Sequence, residues 1–265
     1  MAPAHIALAD VGKTFIRGLQ QTVALQNVDL DIREGEFVAV VGPSGCGKST
    51  LLRLVTGLTP ATAGVVRVAG EVVNGPRSDT GIVFQRATLV DWRDILGNVL
   101  LQIQLRGLNV KSYRARAESL LDAVGLGQFM DRYPFELSGG MQQRAAIARG
   151  LIHQPTILLM DEPFGALDAL TREQMRLDLE TLWTRDRMTV FFITHSIDEA
   201  VLLADRVIVM SPRPGTIDSV FKVDLPRPRG LGARVDPRFA DLVDKITRIF
   251  LERGVFDEHR PSLVA

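Results

Sequence analysis

The chain has a single cysteine, Cys46, in 265 residues, which excludes an internal disulfide and any multi-cysteine metal site. It has no excess of charge: Lys and Arg number 31, and so do Asp and Glu. No global field therefore draws it to nucleic acid or to an anionic membrane surface. Long hydrophobic runs are missing too. No window approaches 18 uncharged apolar residues, so no membrane span is expected. Met1–Asp10 lacks the basic region and the continuous apolar region of a secretion signal, and a cytosolic location is expected. What remains is 46% hydrophobic and 23% charged residues, the composition of a globular chain with a large core in one or two domains.

One stretch organises the rest. Gly42-Pro43-Ser44-Gly45-Cys46-Gly47-Lys48-Ser49-Thr50 fits G-x-x-x-x-G-K-[ST]. It follows the apolar, strand-like run Phe37–Val41 and precedes Leu51, Leu52, Leu54 and Val55 at helical spacing, with Gly57 ending the run. Strand, glycine loop and helix together make this pattern a phosphate cradle. Its backbone N–H groups turn inward on the anion, and the helix N-terminus adds partial positive charge. Lys48 is placed to reach the β- and γ-phosphates, and the Ser49 hydroxyl to hold Mg²⁺. Cys46, at a variable position of the loop, serves simply as a small residue.

Ahead of the loop, residues 5–9 and 23–32 alternate and carry β-branched side chains, which predicts an antiparallel β layer. Phe15 falls in their connection, where packing statistics favour a core residue over one that stacks on a base. Beyond the loop helix, Gly64–Gly70 and Thr80–Phe84 read as short strands, the second ending on Gln85. In nucleotide-binding α/β folds ligands gather at strand carboxyl ends, which makes Gln85 a candidate Mg²⁺ or water contact. Residues 94–133 change character. Ile95–Leu100 and Leu120–Leu126 have helical spacing with the polar, basic run Lys111–Arg116 between them, a helical insert between two core strands.

Ser138 is a good N-cap for the helix that continues through Ala145–Leu151. Gly139 and Gly140, just inside it, weaken the start by roughly 1 kcal/mol each, but they leave bare backbone that suits close approach to an anion. A second phosphate-facing site is the sharper reading. Ile157–Glu162 is a buried strand of continuous apolar type ending in two carboxylates. Asp161 is placed to hold Mg²⁺ with Ser49 and water, which leaves Glu162 to face the γ-phosphate. The apolar strand Thr189–Thr194 ends on His195 at the same crevice. Ile197–Ala204 reads as a helix, Arg206–Met210 as a strand and Gly215–Leu225 as a hairpin arm. From Pro226 the chain is linker-like, and Phe239, Leu242, Val243, Ile246, Ile249 and Phe250 then form an amphipathic helix ending near Gly254.

Taken together, Gly42–Thr50, Gln85, Leu137–Arg144, Ile157–Glu162, Ala166-Leu167-Asp168 and His195 resemble the ATPase subunits of ABC transporters over about residues 5–225. The resemblance implies an α/β fold: a P-loop NTPase (RecA-like) core with an antiparallel β subdomain and an inserted α-helical subdomain. The ATPase domain would span residues 1–225, with the insert at about 90–150, and residues 226–265 would be linker and terminal helix. It implies two such chains bound head-to-tail, each ATP clamped between one phosphate loop and the opposite chain's Ser138, Gly139 and Gly140. It also implies that Phe15 stacks on adenine, against the packing prior. Gln85 would join Ser49 and Asp161 around Mg²⁺ and sense the membrane partner. Glu162 would be the catalytic base, His195 the switch that holds it in register, and Asp168 the residue coupling the two sites. Met141 and Ser196 stand where glutamine and aspartate are common, both beside the contact atoms.

Within that family, Asp91-Trp92-Arg93, Asp161–Asp168, Met210–Gly215 and Leu225–Arg229 are similar to the nitrate, sulfonate and taurine importer branch. The resemblance therefore implies two membrane-spanning permease subunits, an extracytoplasmic solute-binding protein as an indirect partner, and a peripheral place on the cytoplasmic face of the inner membrane. Two rival classes are a soluble ABC-type ATPase acting on nucleic acid or translation and a P-loop kinase. Balanced charge and a short helical insert argue against the first. The second leaves Leu137–Arg144 without a purpose.

Overall fold

The computed structural model describes residues 4–165 and 167–255. Ala166 and the ends of the expected domains, residues 1–3 and 256–265, lie outside the described residues. Two long strands open the chain, β1 (Ala4–Arg17) and β2 (Gln20–Arg33), followed by β3 (Phe37–Val41) and the loop helix α1 (Lys48–Val55). Next come β4 (Ala63–Val68), β5 (Glu71–Val72) and β6 (Thr80–Val83). The helical insert is α2 (Ile95–Leu105), α3 (Val110–Ala123) and α4 (Gly139–Leu151). The chain then runs through β7 (Ile157–Asp161), α5 (Ala169–Asp186), β8 (Thr189–Ile193), α6 (Ile197–Leu203), β9 (Arg206–Met210), β10 (Ile217–Lys222) and α7 (Pro237–Glu252).

These elements form an α/β fold around two sheets. A four-stranded antiparallel sheet has the order β2-β1-β4-β5, and a six-stranded sheet has the order β10-β9-β3-β8-β7-β6. In the larger sheet the strands from β9 to β6 are parallel, and only β10 is antiparallel, at the edge. Successive side chains of a strand point to opposite faces. Phe37, Ala39, Val41, Leu158, Met160, Val190 and Phe192 accordingly join the core under the helical insert and α5–α7. Val38, Val40, Ile157, Leu159, Phe191 and Ile193 join the other core, under α1 and the antiparallel sheet. Burial on both faces is why β3, β7 and β8 are unbroken apolar runs.

Three local expectations need correction, and one helix was not expected. Phe15 is not in a connection but inside β1, paired with Thr22 across the hairpin. Lys111–Arg116 does not separate two helices; it forms the first turns of α3, which Asn109 caps through Lys111 N–H. Residues 169–186 carry an 18-residue helix that the sequence reading leaves unassigned. The stretch after Pro226 is not a free linker, because the Arg229 side chain is 4% exposed and donates to backbone carbonyls of the core. Phe239, Ile246 and Phe250 of α7 belong to the same core as the sheet. Among the described residues no helix is long and apolar enough to cross a membrane.

Candidate functional site

Five parallel strands deliver their carboxyl ends to one crevice, and each end carries a polar group. The 42–50 loop follows β3, Gln85 follows β6, Asp161 and Glu162 close β7, His195 follows β8, and Arg213 follows β9. The resulting cavity is about 360 Å³ and is lined by Phe15, Thr22 and Ala24 at one end, by Ser44, Gly45 and Gly47–Thr50 along its floor, and by Gln85, Glu162 and His195 at the other end.

The loop's conformation requires its glycines. Gly47 has φ 108 and stands where a Cβ would meet Leu25 at 2.6 Å and the Ala24 carbonyl at 3.0 Å. It N-caps α1 without a side-chain acceptor, so the helix's first N–H groups are left for an incoming anion. Lys48, 4% exposed, donates to the Gly42 carbonyl at 2.8 Å and to that of Pro43 at 3.1 Å. It has no carboxylate partner among the described residues, so a buried ammonium faces the cavity with its charge uncompensated. Cys46 packs behind the loop, and burial pushes its thiol up from the ordinary value, away from reactivity.

Ser49 Oγ, at the start of α1, donates to Asp161 Oδ1 at 3.1 Å. Among the described residues no three His, Cys, Asp or Glu side chains cluster to hold a metal by themselves. A serine hydroxyl with one carboxylate fits Mg²⁺, which keeps waters and phosphate oxygens in most of its octahedral positions. Glu162 is clamped from two sides. Gln85 Nε2 donates to its Oε2 at 2.9 Å, and His195 Nε2 lies 2.5 Å from its Oε1. Gln85 thereby leaves its carbonyl oxygen as the end available to a cation. The Glu162 backbone is in the left-handed region, φ 48, held there by its N–H on the Ile193 carbonyl at 2.9 Å. Such a conformation costs energy outside glycine and re-aims the side chain toward the crevice.

Phe15 is 41% exposed at the rim, with Lys13 Nζ 5.1 Å from its ring centroid. Ser138, Gly139 and Gly140 do not line this cavity. Ser138 Oγ accepts from Met141 N–H at 3.3 Å as the α4 cap, a Cβ on Gly139 would meet none of the described residues, and Gly140 lies against Leu167 and Thr171. Asp168 caps α5 through Thr171 N–H at 3.0 Å, and its bonds from Thr171 hold the carboxyl below the usual range. The structure thus gathers Phe15, the loop, Gln85, Asp161, Glu162 and His195, and leaves the Ser138 trio and Asp168 on a separate, neighbouring surface. Thr22, Ala24 and Arg213 line the cavity without having been singled out. The strand-end rule applied to β9 identifies Arg213. A hollow of similar size, about 370 Å³, lies at the opposite ends of the strands beside Glu34, Arg116 and Asp186. Size does not separate the two, but only the first brings together a glycine loop, an unpaired ammonium and a clamped carboxylate.

The family described as ABC transporter matches residues 25–165. An uncharacterized ABC transporter ATP-binding protein of Methanocaldococcus jannaschii is 49% identical over 226 residues, 85% of this chain and 84% of the relative. A nitrate import ATP-binding protein of Synechocystis sp. is 43% identical over 255 residues, 94% of this chain and 96% of the relative. A taurine import ATP-binding protein of Jannaschia sp. is 45% identical over 228 residues, 84% and 85% of the two chains. Among solved structures, a dimeric ATP-binding cassette in a post-hydrolysis state bound to ADP and Pi superposes with TM-score 0.74 at 35% identity, covering 82% of this chain and 98% of that one.

Proposed function

The chain belongs to the ABC transporter family, and from that premise we propose that it drives uptake of a small anionic solute such as nitrate, a sulfonate or taurine. It is an ATPase subunit. The observation that carries the catalytic reading is the Glu162 carboxylate, held by Gln85 and His195 at the end of a cavity floored by the phosphate loop. Importer ATPases at 43–45% identity over most of the chain support the transport reading.

In this reading Phe15 stacks on the adenine at the cavity rim. Lys48 leaves the Gly42 and Pro43 carbonyls for the β- and γ-phosphates, and the N–H groups of the loop and of α1 wrap the rest. Ser49 and Asp161, with Gln85 beside them, are the residues that would hold Mg²⁺, which when bound offsets phosphate charge. Glu162 takes a proton from the attacking water while His195 and Gln85 fix its two oxygens. Positioning and electrostatics are most of what phosphoryl transfer asks of a protein.

One chain leaves Ser138, Gly139 and Gly140 outside its own cavity, on exposed backbone beside Asp168. A second copy placed head-to-tail brings them to the partner's nucleotide and completes two sites at once. ATP then favours the closed pair, and hydrolysis releases it. In this reading the exposed aromatics Trp92 (80%) and Phe135 (75%), which flank α2 and α3 in sequence, offer the surface for a helix of a membrane permease, with the chain peripheral on the cytoplasmic face.

The test is Glu162→Gln. Phosphate release should fall at least about a hundredfold, while ATP binding persists and the nucleotide-loaded variant elutes as a dimer. Turnover at the wild-type rate would remove Glu162 as the base.

A further inference from the structure

We propose that Arg213 is a nucleotide contact that grips the α- and β-phosphates from the side of the phosphate loop opposite Glu162. The inference rests on the nucleotide reading of the cavity and adds a residue to it.

Arg213 lines the cavity, and its Nη2 lies 3.9 Å from where a Cβ of Gly45 would stand. Among the described residues it makes no hydrogen bond and no ion pair, so its donors are free for a ligand. The segment that carries it is tied to its neighbours. Gly215 N–H donates to the Ala24 carbonyl and the Gly215 carbonyl accepts from Gln26 N–H, both at 3.0 Å. Ser211 Oγ accepts from Thr216 N–H at 3.0 Å and closes the turn. A Cβ on Gly215 would sit 1.9 Å from the Cys46 carbonyl, which shows how closely this turn is pressed on the phosphate loop. With the backbone already held, a bidentate phosphate contact costs side-chain freedom alone, and the planar guanidinium fork loses less of it per hydrogen bond than an ammonium would.

Strand order decides which phosphate it meets. In the sequence β9-β3-β8-β7-β6, the phosphate loop follows β3, Arg213 follows β9 on one side of it, and His195 and Glu162 follow β8 and β7 on the other. The same turn is tied to Ala24, at the end of the cavity that holds Phe15. Arg213 therefore faces the phosphates nearest the nucleoside, which ATP and ADP share. It is assigned no contact with the transferred phosphate.

The experiment measures equilibrium binding of fluorescent ATP and ADP analogues, together with steady-state turnover, for the wild type, R213A and R213K. For R213A the dissociation constants for ATP and ADP should both rise about tenfold, with kcat at saturating ATP within about twofold of wild type. R213K should recover part of the binding, since a point charge replaces the fork. Arg213 is exposed, so unchanged thermal melting certifies the fold of both variants. Unchanged binding in R213A overturns the inference, and so does a loss confined to ATP or to kcat. A wild type that binds neither nucleotide removes the reading beneath it as well, which separates the two failures.

Discussion

Thr194 donates its hydroxyl to Glu199 Oε2 at 2.5 Å, one residue ahead of the histidine that meets Glu162. Ser196 N–H donates back to Thr194 Oγ1 at 3.0 Å, and Ser196 Oγ accepts from Glu199 N–H at 3.2 Å. His195 is thus presented by a turn closed on both sides. Burial pushes the Glu199 carboxyl up from its ordinary value, with the Thr194 bond opposing. Its other oxygen lies 3.9 Å from Arg172 Nε, and Arg172 Nη2 donates to the Leu167 carbonyl at 2.8 Å. The histidine turn and the segment before Asp168 are therefore tied through two side chains.

Glu199→Ala should loosen that turn and lower kcat about tenfold, because His195 no longer holds Glu162 in one orientation. The ATP dissociation constant, set by the phosphate loop, should stay within about twofold. Glu199→Gln still offers an acceptor to Thr194 and should restore most of the rate. Steady-state turnover with nucleotide titration checks this, and equal rates for the alanine and glutamine variants would count against a positioning role.

Ser138→Arg places a long cation at the exposed start of α4 and removes a cap worth about 1 kcal/mol. ATP binding by a single chain should survive. Combined with Glu162→Gln, it should abolish the ATP-dependent dimer seen by light scattering, and turnover of the single Ser138→Arg variant should fall roughly a hundredfold. A normal dimer would show that this surface does not face the partner's nucleotide.

Acidification should destabilise the fold through His153. Its Nε2–H donates to the Thr80 carbonyl at 3.2 Å, and its Nδ1 has no partner among the described residues. Burial, followed by the nearby Arg106, pushes its pKa from 6.5 down to about 4. The unfolded chain therefore takes up the proton first. Stability should be fully present above the unfolded value and lost as pH falls through the folded one, by about 3 kcal/mol at most. Urea midpoints at neutral and acidic pH measure the slope, and His153→Gln, which keeps a donor for Thr80, should flatten it.

The tail should prove structural. Arg229 donates to the carbonyls of Ala204, Val201 and Val223 at 2.5, 3.2 and 3.2 Å, which fastens the C-terminal end of α6. Burial, then repulsion from Arg227, lowers its pKa to about 10. Arg229→Met leaves those carbonyls unpaired and should cost about 3 kcal/mol, a drop in melting temperature of roughly 8 °C. A scanning-calorimetry trace that matches the wild type would contradict this account.

By itself the sequence determined what short-range rules can write. The strand, glycine loop and helix at 37–55, the apolar runs that end on Asp161, Glu162 and His195, and the cap at Ser138 are all encoded within about a dozen residues by side-chain period, glycine freedom and capping chemistry. The helix α5 is left unassigned, although Met175, Leu179, Leu182 and Trp183 stand at helical spacing behind the Asp168 cap. Tertiary structure decided which strand ends became neighbours. It set Arg213 across the phosphate loop from Glu162, turned Phe15 to the cavity rim, and buried Arg229 on backbone carbonyls. Those outcomes follow from long-range sheet order and from the need to satisfy buried polar groups, and no local window of the chain contains either.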